Sequence, residues 1–346
     1  MTYGTLPSAG SAILLAALVG LSALPAPAAG ADSAVVFMYH RFGEDKIPST
    51  NIRIGQFEEH IKELTGGKYT VLPLPEIVDA FRGGRPLPDR TIALTADDAY
   101  RSIYTEAWPR LKKAGLPFTL FVATEPIDAK VAGMMTWDQI RELAANGVTI
   151  GGHGVSHSHM PLQDEATQRQ EIARSNDRFQ AELGRVPTLF AYPFGEADRR
   201  SIDLAEASGA VAAFGQHSGV AHAGGERYYL PRFTLNETHG EMPRFRLAAN
   251  ALPLPVRDFV PMDPAVRAGN PPTIGFTVAD DIRNADRIGC YGADGKPLPM
   301  SRSDGGRIEI KPTAALPTGR WRLNCTVPAG DGRTRWFGRQ LYVPPK

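Results

Sequence analysis

A chain of 346 residues with 38 Lys+Arg against 37 Asp+Glu and 42% hydrophobic residues is long enough for one large or two smaller domains and too apolar for disorder. Its formal net charge of +1 excludes binding to nucleic acid or an anionic membrane driven by overall charge. Two cysteines exclude a disulfide-dense miniprotein and a cysteine-based zinc finger, so any chemistry falls to Asp, His, Ser or Glu.

Ala12 to Leu24 is an uncharged apolar run, too short for a hydrocarbon core that needs about 20 residues. Small residues follow, with Ala-x-Ala cleavage options after Ala28 or Ala31. The pattern reads as a secretory signal peptide over residues 1–31, although no Lys or Arg precedes the apolar run. No later segment has the length of a membrane span. The expectation is an exported protein, periplasmic or secreted, in oxidising surroundings.

From Ala34 onward, short apolar runs alternate with helical patterns, as in βαβ units. Strands are expected at Ala34–Tyr39, Thr91–Thr95, Pro117–Val122, Val148–Gly151, Thr188–Tyr192 and Ala210–Gly215. Helices are expected at Gln56–Leu64, after the strand Thr91–Thr95 as far as Lys113, at Trp137–Ala145, Glu165–Leu183 and Arg199–Ser208. Periodicity places this α/β region at 34–250 and leaves a barrel and a doubly wound sheet as alternatives. Six prolines fall between Pro253 and Pro272, which reads as a linker over 251–272. Beyond it the helical period gives way to short alternating runs separated by Asp-Gly turns, expected to form a small β-sandwich over 273–346. Cys290 and Cys325 both fall there; a bridge between them would contribute roughly 4 kcal/mol on the chain-entropy account.

Three stretches at strand C-termini carry the chemistry: Asp97-Asp98, His153-Gly-Val-Ser-His157, and Tyr192-Pro-Phe-Gly195. Histidines four residues apart can share one divalent ion, and two His plus one carboxylate leave a position open for water. Of two adjacent carboxylates, one can ligate while the other serves as a base, because the cation offsets their repulsion. Ser156 is not in a G-x-S-x-G elbow, which argues against a serine hydrolase.

TADDAYRS, LKKAGLPFTLFV, MTWDQIREL, IGGHGVSHSHM and FAYPFGEAD resemble, in order and spacing, the polysaccharide deacetylase family. This is the NodB-homology domain of carbohydrate esterase family 4, and the match runs from about Ala34 to Glu237. The opening VVFMYHRF resembles the subgroup acting on exported N-acetylglucosamine polymers. The resemblance implies a deformed (β/α)7 barrel, with Asp97 as general base and Asp98, His153 and His157 as ligands of a divalent metal. That metal is usually zinc, with nickel, cobalt or iron as alternatives. It further implies that the Tyr192 backbone N–H binds the oxyanion. The chain departs from the family at Ala96, at Ala99 where Gly is usual, at Gly154 where a hydroxyl is usual, and at Ala191 where an Arg often stands. The Leu-His motif that supplies the acid is missing, and His217 and His40 are the substitutes.

The expected activity is hydrolysis of N-acetyl groups on a polysaccharide containing N-acetylglucosamine. O-acetyl ester hydrolysis by the same site is one alternative, and a non-catalytic glycan-binding barrel is another. Trp137 and Tyr100 are candidates for a sugar groove or for core packing. Arg320, Trp321, Arg335 and Trp336 lend the β-sandwich cationic and aromatic character. His60 is expected on the exposed side of its helix.

Overall fold

The computed structural model describes residues 1–5, 31–267 and 270–345. Most of the expected signal peptide, 6–30, lies outside them. Among the described residues, no helix is long and apolar enough to cross a membrane.

The N-terminal region is a deformed (β/α) barrel. Its sheet runs Ala221–His222, Ser33–Tyr39, Thr91–Asp97, Thr119–Val122, Thr149–Gly152, Leu189–Ala191, Ala212–Phe214. All neighbours are parallel except the first pair. Both faces of Ser33–Tyr39 and of Thr91–Asp97 are buried throughout, as expected for parallel strands covered on two sides. The two ends of the sheet are brought together by one short segment. Leu230 bridges to Phe214, and Phe233–Thr234 pairs in parallel with Phe37 and Met38. This closing seam has no strand signature of its own, and it carries Arg232 into the centre of the barrel.

The helices begin and end on local chemistry. Trp137–Ala145 starts with a capping box between Thr136 and Gln139, and Glu165–Leu183 starts on Asp164 and stops at Gly184 in the left-handed conformation. Leu74–Gly83 and Met242–Ala249 are helices not expected from the sequence pattern. The second of these corrects the placement of His60. Phe245 stacks on its ring at 4.1 Å, Tyr39 Oη and the Gly240 carbonyl contact its two ring nitrogens, and the imidazole is fully buried. A covering helix drawn from about 180 residues further along the chain is invisible to a local amphipathic pattern.

The C-terminal region consists of two four-stranded sheets. One runs Leu252–Pro253, Thr334–Val343, Gly319–Pro328, Gly289–Tyr291; the other runs Val256–Val260, Ile274–Val278, Arg307–Ile310, Met300–Ser303. Ile274, Phe276, Ile308, Ile310, Leu323 and Leu341 fill the space between them. The stretch read as a linker over 251–272 is strand in part. Leu252–Pro253 pairs with Arg335–Trp336, and Val256–Val260 pairs with Ile274–Val278. The prolines obscured this, but both segments are edge strands, where a missing N–H is tolerated. Cys290 and Cys325 face each other across an antiparallel register and are disulfide-bonded.

Candidate active site

The strand Thr91–Asp97 delivers its Asp pair at the mouth of the barrel. Asp98 (φ 74°) and Ala99 (φ 63°) then turn the chain through two successive left-handed residues. Ala99 therefore occupies a backbone conformation that costs a non-glycine residue roughly 1–2 kcal/mol. The turn separates the two carboxylates. Asp98 lines the mouth of a cleft of about 560 Å³, whereas Asp97 is fully buried and does not line it.

His153 and His157 converge on Asp98. Asp98 Oδ1 lies 3.3 Å from His153 Nε2 and 3.1 Å from His157 Nε2, and the three ligand atoms lie within 4.8 Å of one another. The tautomer of His153 follows from its other nitrogen. Nδ1 sits 2.7 Å from the Ala191 carbonyl, to which it donates, leaving a lone pair on Nε2 facing the carboxylate. Asp98 Oδ1 and His153 Nε2 are both buried without a hydrogen-bond partner among the described residues. Two buried lone pairs pointing at each other are satisfied by a cation, so the donor set fits a divalent metal. Burial works against charge on Asp98, but the proximity of His153 and His157 outweighs it and holds the carboxyl well below its usual range. Burial likewise opposes charge on His153, and Asp98 with Asp97 overcomes it and raises the pKa.

The histidine loop is tied down by a residue the motif reading missed. Glu171, on the helix Glu165–Leu183, accepts from the Val155 and Ser156 N–H groups and from the Ser156 hydroxyl at 2.8–2.9 Å. It stands 3.1 Å from where a Cβ on Gly154 would lie, and Gly154 itself has φ 75°. The carboxylate thus steadies the loop where a hydroxyl at 154 would otherwise do so.

Arg232 is the second residue the sequence concealed. Its guanidinium bonds both oxygens of Asp97 at 2.7 Å, the Gly215 carbonyl at 3.0 Å and Thr95 Oγ1 at 3.2 Å. Burial pushes the Asp97 carboxyl up, but Arg232 more than offsets this, so the group stays ionised below its ordinary range. The Arg absent at Ala191 is replaced from the closing seam.

Two expected roles are corrected by the geometry. The Tyr192 N–H donates to the Phe214 carbonyl at 3.1 Å, because sheet pairing continues one residue past Ala191, and so it is not free for an oxyanion. The next backbone donor, on Phe194, follows Pro193, which has no N–H. Phe194 sits at φ 58°, lines the cleft and stacks edge-on against His157 at 4.4 Å. No acceptor for its N–H is found among the described residues. The side chain of His217 points away from the cleft, into a separate cavity with Tyr229 and Arg339, while its neighbours Gln216 and Ser218 face the cleft. His40 does line the cleft; burial lowers its pKa against the opposing pull of Asp98 and Asp97. Tyr100 also lines it, but Trp137 packs on Phe179 and bonds Asp128 away from the cleft.

A curled, mostly parallel sheet carries at its mouth an Asp-His-His cluster whose ligand atoms could hold a metal ion. Residues 84–213 match the family model for polysaccharide deacetylase. The chain is 27% identical over 174 residues to the putative polysaccharide deacetylase YxkH of Bacillus subtilis, covering 50% of this chain and 61% of that protein. It is 25% identical over 215 residues to poly-β-1,6-N-acetyl-D-glucosamine N-deacetylase of Escherichia coli K12, covering 50% of this chain and 32% of that one. The chain thus spans less than two thirds of either relative. The structure of IcaB from Ammonifex degensii superposes with a TM-score of 0.57 at 25% identity, over 64% of this chain and 99% of that one.

Proposed function

We propose that the protein is a metal-dependent hydrolase that removes N-acetyl groups from an exported polysaccharide containing N-acetylglucosamine. The observation that carries this reading is the pairing of the converging Asp98–His153–His157 donor set with an ionised Asp97 held by Arg232. The two imidazoles and one carboxylate suit zinc and leave room for water. When bound, a divalent cation would lower the pKa of that water and polarise the acetamido carbonyl.

The chain's own groups supply the rest. Asp97 is assigned the water's proton: its carboxylate lies behind Gln216, which lines the cleft and donates to it at 3.4 Å, and Arg232 positions it. The Phe194 N–H donates to the oxygen on which negative charge develops. His40, which lines the cleft, carries a proton to the leaving nitrogen. Export is supported by the Cys290–Cys325 bridge, a feature of oxidising compartments.

The test is acetate release from N-acetylglucosamine oligomers, with and without a chelator, beside O-acetylated analogues. Metal-dependent release from the amide, lost in Asp97→Asn, is expected. Release from esters alone would replace the amidase reading, and release unaffected by Asp97→Asn would overturn the assigned base.

A further inference from the structure

The cleft above the metal ligands is not made by the barrel alone. The strand Gly319–Pro328 of the C-terminal sheet presents Arg320, Arg322 and Asn324 to it, at alternate positions and therefore on one face. Arg244, from the helix Met242–Ala249, joins them, lying over the Trp336 ring at 4.8 Å. Arg320 lies over the Phe194 ring at 5.7 Å, and Phe194 touches His157, so this cationic wall begins one side chain away from the metal site.

The charge balance of the cleft is one-sided. Three guanidiniums line it against a single carboxylate, Asp98, which a bound cation would neutralise. Arg320 is in part answered by Glu196 at 3.6 Å. Arg322 bonds only the neutral Gln340 amide oxygen, at 3.1 Å, and Arg244 only stacks on aromatic rings. Neither has an ion-pair partner among the described residues, and burial lowers the pKa of both. Partly desolvated guanidiniums without a counter-ion are costly, and an anion arriving with a ligand would relieve that cost. Arginine is the side chain best shaped for bidentate capture of a carboxylate.

Resting on the deacetylase reading, we propose that this cleft selects an acidic polysaccharide, one in which a sugar bearing an anionic group neighbours the acetamido sugar. Arg322 and Arg244 are its specificity determinants. The C-terminal sheet is then part of the substrate site rather than an appendage.

Three matched probes test this on the metal-loaded full chain: an oligosaccharide alternating N-acetylglucosamine and glucuronic acid, the same oligosaccharide with its carboxylates reduced to alcohols, and a counterpart bearing sulfate esters. The acidic substrates should exceed the reduced one in kcat/KM by about tenfold or more, as charged hydrogen bonds of this kind allow. The advantage should fall toward one in Arg322→Gln and Arg244→Gln, and in high salt. The better of the two acidic probes identifies the anion. Calorimetric binding of the same probes reads the preference without turnover, and thermal transitions show whether the variants fold. Equal turnover and equal binding of acidic and reduced probes by the parent protein would overturn the proposal, as would a preference that survives in both folded variants. Preferential binding of the acidic probe without acetate release would overturn the deacetylase reading and leave the anion selectivity standing.

Discussion

Arg232 and Asp97, separated by 135 positions in the chain, meet through two 2.7 Å hydrogen bonds with both side chains fully buried. The pair joins the closing seam of the barrel to the strand that carries the proposed base. Its geometry is bidentate, so lysine cannot reproduce it. Arg232→Gln leaves a buried carboxylate without its counter-charge, a loss worth about 3–5 kcal/mol, measurable by urea denaturation. In Arg232→Lys that remains folded, Asp97 is less well held in its ionised form and its pKa rises. The acidic limb of the kcat/KM profile should therefore move to higher pH, whereas a purely structural role would lower activity without moving the limb.

Metal removal should be visible apart from turnover. Addition of zinc to chelator-treated protein should raise Tm, since a ligand at about 100 times its Kd adds roughly 2.7 kcal/mol. Asp98→Asn and His153→Ala should each abolish that rise and lower bound metal from near one per chain. A rise retained in both variants would place the ion elsewhere.

His40 and His217 were equal candidates by sequence and are separated by the direction of their side chains. His40→Gln should reduce kcat by about 10²–10⁴-fold, the range for loss of a positioned proton carrier. His217→Asn should alter stability while leaving kcat on N-acetylglucosamine oligomers near that of the parent. The reverse pattern in steady-state kinetics would return His217 to the site.

Asp198 supplies a test of electrostatics away from the metal. It caps the helix Arg199–Ala207 by accepting from the Ser201 N–H, and it also binds Arg200 and Arg267. Burial raises its pKa, but the Ser201 bond and the arginines outweigh this and leave it below its ordinary value. A carboxyl with a depressed folded pKa contributes stability above its unfolded value of about 3.9 and loses it as pH falls through the folded one. Asp198→Asn keeps an acceptor for the cap. The parent's advantage over this variant in denaturation experiments should be full at neutral pH and shrink below about pH 4.

Much of the barrel was legible locally. Trp137–Ala145 and Glu165–Leu183 were bounded by capping and stop residues adjacent in sequence, and Thr91–Asp97 was marked by the short β-rich run TIALT. Asp98, His153 and His157 were legible because ligand chemistry restricts residue type and spacing. Tyr192 was misread because whether a backbone N–H is free depends on how far a neighbouring strand runs, and Phe214 takes that N–H. Glu171 and Arg232 carried no motif, since a single charged residue in a helix or a connecting segment looks like any solvated one.

The amino-acid order by itself determined the alternating elements, the donor set for a cation and the change of texture into a β-rich C-terminal region, because each depends on neighbours a few residues apart. Only the tertiary structure decided which side chains meet across long separations. Barrel closure brings Arg232 to Asp97, and packing of the C-terminal sheet against the barrel brings Arg322 toward Asp98. The net charge of +1 suggested no preference for an anion, because a sum over the chain discards position. Folding gathers unpaired guanidiniums on one wall of the cleft, and local charge in a partly desolvated site governs what binds there.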